Sequence, residues 1–178
     1  DDASLSLDEG NNLVSFHAIP DDTEVSSVFG AADLVGVIGE GSAAANIGGT
    51  WYGSLTNIDA ESGYWVQSNA DGEGVYVCGD PSDDVVYTLH EANNLISYAY
   101  SGAQDIEDAL PLETQDAVYA IVGEGVASIN LGLGGWAGSL DAFEGGSGYW
   151  FARNVDAESH TFQYNVPGDG DARLLSDE

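Results

Sequence analysis

The sequence contains almost no positive charge. Its 178 residues include 31 Asp and Glu but only two basic residues, Arg153 and Arg173, and no lysine, which gives a formal net charge of −29. Nucleic-acid-binding proteins hold the phosphate backbone with Lys and Arg, and the phosphate-binding loop of an NTPase needs a lysine. A Schiff-base enzyme needs a lysine amine, and a membrane-surface helix needs a basic face. These classes are excluded, and we expect any partner to be neutral, cationic or a metal ion.

Cysteine and long apolar stretches are also scarce. The single cysteine, Cys78, excludes an internal disulfide and a cysteine-based metal cluster. No stretch approaches the ~20 consecutive apolar residues of a membrane span, so we expect no membrane insertion. The content of 43% hydrophobic and 10% aromatic residues nevertheless predicts a folded protein, not a disordered acidic chain.

Four sequence landmarks occur twice, in the same order and 82 to 85 residues apart. They are Asn-Asn-Leu (11–13 and 93–95), Gly-Glu-Gly (39–41 and 123–125), Trp-x-Gly-Ser-Leu (51–55 and 136–140) and Ser-Gly-Tyr-Trp (62–65 and 147–150). The offset grows only between landmarks, where loops absorb insertions. We therefore predict a tandem repeat of two modules, residues 3–80 and 84–167, followed by an acidic tail at 168–178.

Each module is predicted to be mostly extended. Leu5 and Leu7 alternate with polar residues, and the turn residues at 8–12 separate them from a β-rich run at 13–19, which indicates a hairpin. Further strands are predicted at 34–38, 51–55, 64–67 and 75–78, and the second module is predicted to close with a strand at 161–164.

One short helix is predicted in each module. The first follows the capping residues at 21–23 and contains Val25, Val28 and Phe29. The second contains Ile106 and Ala109 and is stopped by Pro111. The predicted fold class is therefore mainly β (β-rich α+β), as two tandem repeated modules of five to six short strands and one short helix each.

The doubled Gly-Glu-Gly segments resemble half of a nucleotide-binding glycine fingerprint. The rest of that spacing and the following helix are missing, so a turn with positive φ is the better interpretation. Glu40 and Glu124 are then expected at the tips of these turns. They would either join a cation site or be solvated, and solvation is favoured because surface carboxylates usually are.

The four tryptophans form two aligned pairs and are the candidate ligand-binding residues: Trp51, Trp65, Trp136 and Trp150. Exposed tryptophans on a β face stack on sugar rings or anchor a protein partner. Packing in a core is the favoured alternative, because aromatic residues dominate core energetics. In each Gly-Tyr-Trp, one ring is expected to be buried and the other partly exposed, because neighbouring residues of a strand face opposite ways.

No catalytic set can be assembled from the remaining reactive residues. His17, His90 and His160 occupy non-equivalent repeat positions, and no HExxH pattern or nucleophile elbow is present. Cys78 aligns with Tyr164 and is interpreted as a small buried strand residue. We therefore predict a protein that is not an enzyme.

Acidic loops are the candidate metal sites. Calcium takes several oxygen ligands from carboxylates and carbonyls in tight, glycine-containing loops, and none of these loops matches the EF-hand pattern. A solvated acidic coat that keeps the protein soluble is the favoured alternative. The candidate calcium ligands are Asp80, Asp83, Asp84, Asp169 and Asp171.

The landmarks resemble a module of about eighty residues that is found in tandem in large secreted or surface proteins of marine bacteria. Similar modules occur in virion structural proteins of marine phages. The resemblance extends over essentially both modules and depends on four landmarks in order. It implies an extracellular, cell-surface or virion-surface location and brings no catalytic residues.

Our main functional hypothesis is a non-enzymatic structural or adhesive module pair that acts through self-assembly, as in a filament or virion, or through surface contacts. The alternative is a carbohydrate-binding module that uses exposed Trp and Tyr. A hydrolase with a carboxylate pair is less favoured, because 31 carboxylates make accidental pairs easy. The expected partners are other copies of this chain or a surface glycan, with neither nucleic acid nor an inserted membrane.

Overall fold

The computed structural model describes residues 1–168, which are mainly β. Strands make up 49% of the structure and helices 9%, so the predicted fold class is confirmed. The predicted tail at 168–178, with the candidate ligands Asp169 and Asp171, lies outside the described residues apart from Gly168.

The strands fall into two successive sets, which we call the N-terminal half (residues 1–81) and the C-terminal half (residues 87–168). In the N-terminal half they are β1 (Asp2–Leu7), β2 (Gly10–Val14), β3 (Ala18–Ile19), β4 (Leu34–Gly39), β5 (Ser42–Ile47), β6 (Thr50–Gly53), β7 (Tyr64–Ser68), β8 (Glu73–Cys78) and β9 (Asp80–Pro81). In the C-terminal half they are β10 (Tyr87–Leu89), β11 (Asn93–Ser97), β12 (Ala103–Asp105), β13 (Ala120–Gly123), β14 (Val126–Gly132), β15 (Gly135–Gly138), β16 (Ala142–Glu144), β17 (Gly148–Ala152) and β18 (His160–Phe162).

Each half contains one five-stranded antiparallel sheet with the same kind of strand order. The N-terminal sheet has the order β2-β7-β4-β5-β6, and the C-terminal sheet has the order β11-β17-β13-β14-β15. Two two-stranded sheets accompany each of them: β1 with β8 and β3 with β9 in the N-terminal half, and β10 with β18 and β12 with β16 in the C-terminal half. Within residues 1–168, no sheet combines strands from both halves.

Two separate hydrophobic cores result from this arrangement. In the N-terminal half, Leu5 and Leu7 of β1 pack with Val37 and Val66 of the five-stranded sheet. The alternating burial of β1 explains this, because every second side chain points to the same face. The C-terminal core is richer in aromatic rings, and Phe143 lies in edge or stacked contact with several of them. Each half therefore has its own apolar interior.

Two of the three helices lie where the sequence predicted them. Helix α1 (Val25–Phe29) buries Val25 and Phe29, and helix α2 (Ile106–Ala109) ends before Pro111, both as predicted. A third helix, α3 (Leu112–Ala117), was not predicted. Pro111 stops one helix and stands at the N-terminus of the next, because a proline lacks the N–H that only a helix interior needs.

The predicted hairpin between the first two strands is wrong. β1 pairs with β8 and β2 pairs with β7, so the chain changes sheet between Leu7 and Gly10. Asn12 builds this corner: its amide donates to the carbonyls of Asp8 and Gly10, and its oxygen accepts from the Asp8 N–H at 2.9 Å. The turn residues are present as expected, but they redirect the chain into another sheet.

Strand β5 was also missed, which is one reason why each half has more strands than the predicted five to six. It follows the Gly-Glu-Gly turn directly and forms a hairpin with β4. Its Ala-rich sequence has little intrinsic preference for a strand, so pairing with β4 decides its conformation.

Cys78 is exposed, which contradicts its interpretation as a buried residue. Val75 and Val77 of β8 point into the core, so strand alternation places Tyr76 and Cys78 outside. The aligned residue in the other half, Tyr164, is buried and lies beyond the end of β18. The alignment therefore does not extend to side-chain direction at this end of the repeat.

Candidate functional site

The two halves meet through a reciprocal set of carboxylate contacts. Glu40, at the tip of the β4–β5 turn, accepts a hydrogen bond from the Leu95 N–H of the other half at 3.2 Å. Glu124, at the tip of the β13–β14 turn, accepts one from the Leu13 N–H at 3.0 Å. We call Glu40, Glu124, Leu13 and Leu95 the clasp. Both glutamates are exposed, as expected of solvated carboxylates, but each also accepts a hydrogen bond from the other half, which was not predicted.

Local backbone geometry places these carboxylates. Gly41 and Gly125 follow the glutamates with φ of 74° and 69°, a conformation that glycine adopts without strain. Each glutamate is thereby held at the tip of a tight hairpin. A charged acceptor makes a stronger hydrogen bond to a backbone N–H than a neutral acceptor does.

Serine residues add a second reciprocal set of contacts. The Ser15 N–H donates to the Gly146 carbonyl at 2.9 Å, and the Ser97 N–H donates to the Glu61 carbonyl at 2.9 Å. The Ser15 hydroxyl also donates to the Ser147 carbonyl at 2.6 Å. The Ser97 hydroxyl donates to the Ala60 carbonyl, also at 2.6 Å, although Ala60 aligns with Gly145 and not with Ser147. Contacts that one half makes to the other are thus made again with the roles of the two halves exchanged. This is the self-complementary form of a two-fold dimer interface.

Leu13 and Leu95 are buried by the opposite half. They are 3% and 2% exposed, yet neither belongs to the core cluster of its own half. Gly148 and Gly63 let the backbones of the two halves approach closely: a Cβ on Gly148 would lie 2.7 Å from the Val14 carbonyl oxygen. The repeated Asn-Asn-Leu and Ser-Gly-Tyr-Trp landmarks therefore contribute to the contact between the halves.

The two ends of the clasp differ in charge. His90 Nε2 contacts Glu40 Oε1, and its Nδ1 lies 2.5 Å from the Glu91 carbonyl. Partial burial lowers the pKa of His90, but the hydrogen bonds to Glu91 and Glu40 and their charges raise it, and the net shift is upward. Asp8 occupies the aligned position in the N-terminal half. The sequence therefore has a carboxylate at the position that corresponds to the imidazole of the Glu40 end.

The surroundings of Glu124 are acidic. A cavity of about 420 Å³ opens beside it, and Asp141 and Glu144 are the other carboxylates on its wall. Glu40 and His90 form the one ion pair found within residues 1–168. The sequence alignment already showed the Asp8–His90 difference, which was the available signal for this asymmetry, but it did not show that His90 contacts a glutamate.

The other two histidines lie apart from this site. The imidazole of His160 hydrogen bonds to the Thr114 hydroxyl at 2.9 Å, and its pKa is lowered by burial and by the nearby Arg153. Burial also lowers the pKa of His17. In the described part of the chain, no three His, Cys, Asp or Glu residues are placed to hold a metal ion together.

The outer faces of the five-stranded sheets are a second candidate site. On the N-terminal sheet, Ile38, Ile47 and Tyr52 are exposed, and Trp65 lies next to Ile38 in register. A groove of about 360 Å³ runs between Tyr52 and Trp65, with the amides of Asn11 and Gln67 on its wall. None of the residues lining this groove is charged, in a chain that carries 31 acidic residues.

The outer face of the C-terminal sheet is apolar as well, but it has a different shape. Its exposed large side chains are Val122, Ile129 and Leu131 on the strands, with Leu133 in the turn between β14 and β15. Trp150 is half-buried there, in register with Val122. Ala137 stands at the position aligned with Tyr52, so the second wall of the groove is missing.

The four candidate tryptophans separate into two classes. Trp65 and Trp150 lie on the outer faces. Trp51 and Trp136 instead pack against the cores, with the Trp51 ring 6.2 Å from that of Phe29.

The expectation for the Gly-Tyr-Trp segments is confirmed, since both tyrosines are buried and both tryptophans are half-exposed. The Tyr64 hydroxyl accepts a hydrogen bond from the Asp59 N–H at 2.8 Å, and the Tyr149 hydroxyl repeats this with Glu144. Burial raises the pKa of Tyr64 to about 12, so this hydroxyl stays neutral.

The candidate calcium ligands Asp80, Asp83 and Asp84 are exposed at the junction between the halves. Asp80 lies in β9, opposite Ile19. Asp169 and Asp171 fall outside the described residues. Calcium binding therefore stays a prediction.

Comparison of the chain with protein-family models, with curated proteins and with solved structures finds no match. Within residues 1–168, no helix is long and apolar enough to span a membrane.

Proposed function

We propose that the protein is a non-enzymatic structural or adhesive unit that acts outside a cell or on a particle, through its two outer sheet faces. One observation carries the proposal: large apolar side chains cluster on both faces of a protein with a net charge of −29. Exposed apolar residues are normally scattered, whereas contiguous patches mark contact sites.

The clasp supports this choice of surface. A self-complementary interface closes on itself, whereas a head-to-tail interface continues into a filament. The clasp surface of each half is already occupied by contacts with the other half. The outer faces are the large apolar surfaces that remain for assembly or adhesion.

Light scattering at increasing salt tests the assembly version. Screening of the net charge allows apolar faces to approach, so we expect the average mass to increase with salt. The double variant Ile47→Asp/Ile129→Asp is expected to stay monomeric. Val86→Asp is the matched control, since Val86 is also exposed but lies outside both sheets. A monomer at every salt and calcium concentration contradicts self-assembly.

Carbohydrate binding is the second candidate function, and the groove on the N-terminal sheet favours it. Tyr52 and Trp65 offer aromatic surface, Asn11 and Gln67 offer amide groups, and the lining is uncharged. This chemistry suits a neutral sugar. Glycan-array binding that is lost in Tyr52→Ala and Trp65→Ala, but kept in Tyr119→Ala on the opposite half, is the expected result. No binding to any neutral glycan contradicts it.

A further inference from the structure

The clasp has two equivalent ends with different electrostatics. At both ends a hairpin-tip carboxylate accepts a hydrogen bond from the N–H of a buried leucine. The segments that carry these leucines are also built alike: the Asp8 N–H donates to Asn12 at 2.9 Å, and the His90 N–H donates to Asn94 at 2.8 Å. Only the Glu40 end adds a group that can become a cation.

We propose that the clasp is a pH-sensitive joint: its Glu40 end is strengthened when His90 is protonated, and its Glu124 end does not respond over the same pH range. The proposal is independent of the function proposed for the sheet faces. It depends on the direct contact of His90 Nε2 with Glu40 and on the aspartate that replaces the histidine at the other end.

The groups around His90 determine the direction of the response. Glu40 and Glu91 favour its protonated form through hydrogen bonds and charge. Arg153 is the nearby cation, and its guanidinium donates a hydrogen bond to the backbone carbonyl of His90 at 3.2 Å. Both ring nitrogens of His90 face an acceptor, so a neutral ring can donate to only one of them. The protonated ring donates to both and forms an ion pair with Glu40, which also holds the carboxylate on the Leu95 N–H.

Because the pKa of His90 is raised in the folded protein, its contribution to stability is complete below the pKa of the unfolded chain, 6.5. That contribution is lost as the pH rises through the higher folded-state pKa. The Glu40 end therefore loosens on the alkaline side. At the position aligned with His90, the Glu124 end has Asp8 and therefore no histidine.

The two clasp amides serve as reporter and internal control in one molecule. We expect the Leu95 amide resonance of the full chain to shift between pH 5.5 and 9 with the same midpoint as the His90 ring, while Leu13 stays constant. After correction for intrinsic exchange, protection of Leu95 relative to Leu13 is expected to fall roughly 1.5- to 5-fold, the range expected for an exposed ion pair.

Three variants separate this mechanism from a purely structural role. Glu40→Gln keeps an acceptor for the Leu95 N–H but removes the charge, so we expect Leu95 to stay protected and lose its pH response. His90→Gln is expected to lose the response as well. Asp8→His should transfer it, so that the Leu13 amide then titrates too.

Several outcomes overturn the proposal. They are a Leu95 response that persists in His90→Gln, equal responses of Leu13 and Leu95 in the unmodified chain, and a constant Leu13 amide in a folded Asp8→His variant. The last of these would show that the two ends are not equivalent.

Discussion

At the scale of single residues, Arg153 is the most constrained charge in the described chain. It is 5% exposed, and its guanidinium donates to four backbone carbonyls, those of Leu89, His90, Ala117 and Glu158, at 2.8 to 3.2 Å. The protein is overwhelmingly acidic, yet this cation is held by peptide dipoles. A planar group with five donors can satisfy four carbonyls at once, whereas a lysine ammonium has only three donors.

We therefore expect Arg153→Lys to lower the free energy of unfolding by about 2–4 kcal/mol, because several hydrogen bonds to a charged group are lost together. Urea denaturation followed by circular dichroism measures the effect. Val155→Met, at an exposed position of the same loop, is the control and should be nearly neutral. Stability of Arg153→Lys equal to that of the unmodified chain would mean that these carbonyl contacts contribute nothing.

Side-chain direction was predictable at this scale where strand alternation applied without interruption. The burial of Tyr64 and the partial exposure of Trp65 follow from their being neighbours in a strand. The same rule predicts an exposed Cys78 once β8 is known, but alignment to Tyr164 suggested the opposite. Local periodicity was the better guide, because the repeat does not preserve geometry at its ends.

At the scale of secondary-structure elements, the close approach of β2 and β17 is the main constraint. Gly148 begins β17, and an added Cβ would lie 2.7 Å from the Val14 oxygen of β2 and 3.3 Å from the Cα of Gly63. The shortest of these contacts is to a backbone atom, which cannot move away as the end of a side chain can. The contact requires a glycine for space and not for a special φ.

Gly148→Ala is accordingly expected to destabilise the protein by about 1–3 kcal/mol, the usual cost of overpacking. Gly74→Ala is the matched control, because Gly74 is also a strand glycine and nothing lies within 4 Å of its added Cβ. Thermal unfolding of both variants makes the comparison. Equal melting temperatures of the two variants would show that this backbone contact between the halves can be disturbed without destabilising the protein.

Elements were predictable where the local signal agreed with the tertiary structure. Helix α1 has its apolar residues at helical spacing, and its position was predicted. The partners of β1 and β2 were not predictable, because the side chain of Asn12 forms the corner between the sheets and a turn-rich sequence does not reveal which sheet follows. The clasp was missed for a related reason: repetition marks Glu40 and Leu95 separately but does not show that they meet.

At the scale of the whole molecule, charge opposes folding. A net charge of −29 on 178 residues repels itself at low ionic strength. The paired landmarks are mostly apolar, aromatic or glycine, so the acids form a coat around ordinary β cores. Salt is therefore expected to act on the coat and not on the interior.

We expect the melting temperature to rise between about 10 mM and 1 M NaCl, a range in which the Debye length falls from ~30 Å to ~3 Å. Differential scanning calorimetry at fixed pH measures this. Choline chloride at equal ionic strength is a control for specific sodium binding. A melting temperature independent of both salts would contradict a destabilising role for the charge.

The reciprocal contact of the halves also limits how many such halves a longer array can contain. Each half presents one Leu13- or Leu95-type leucine and one hairpin-tip glutamate, and here each satisfies the other. A third half of the same kind would find no free mate and would leave its leucine exposed to water. Any longer array built from such halves should therefore contain an even number of them, because a pair of halves, and not a single half, is the unit that is added or lost.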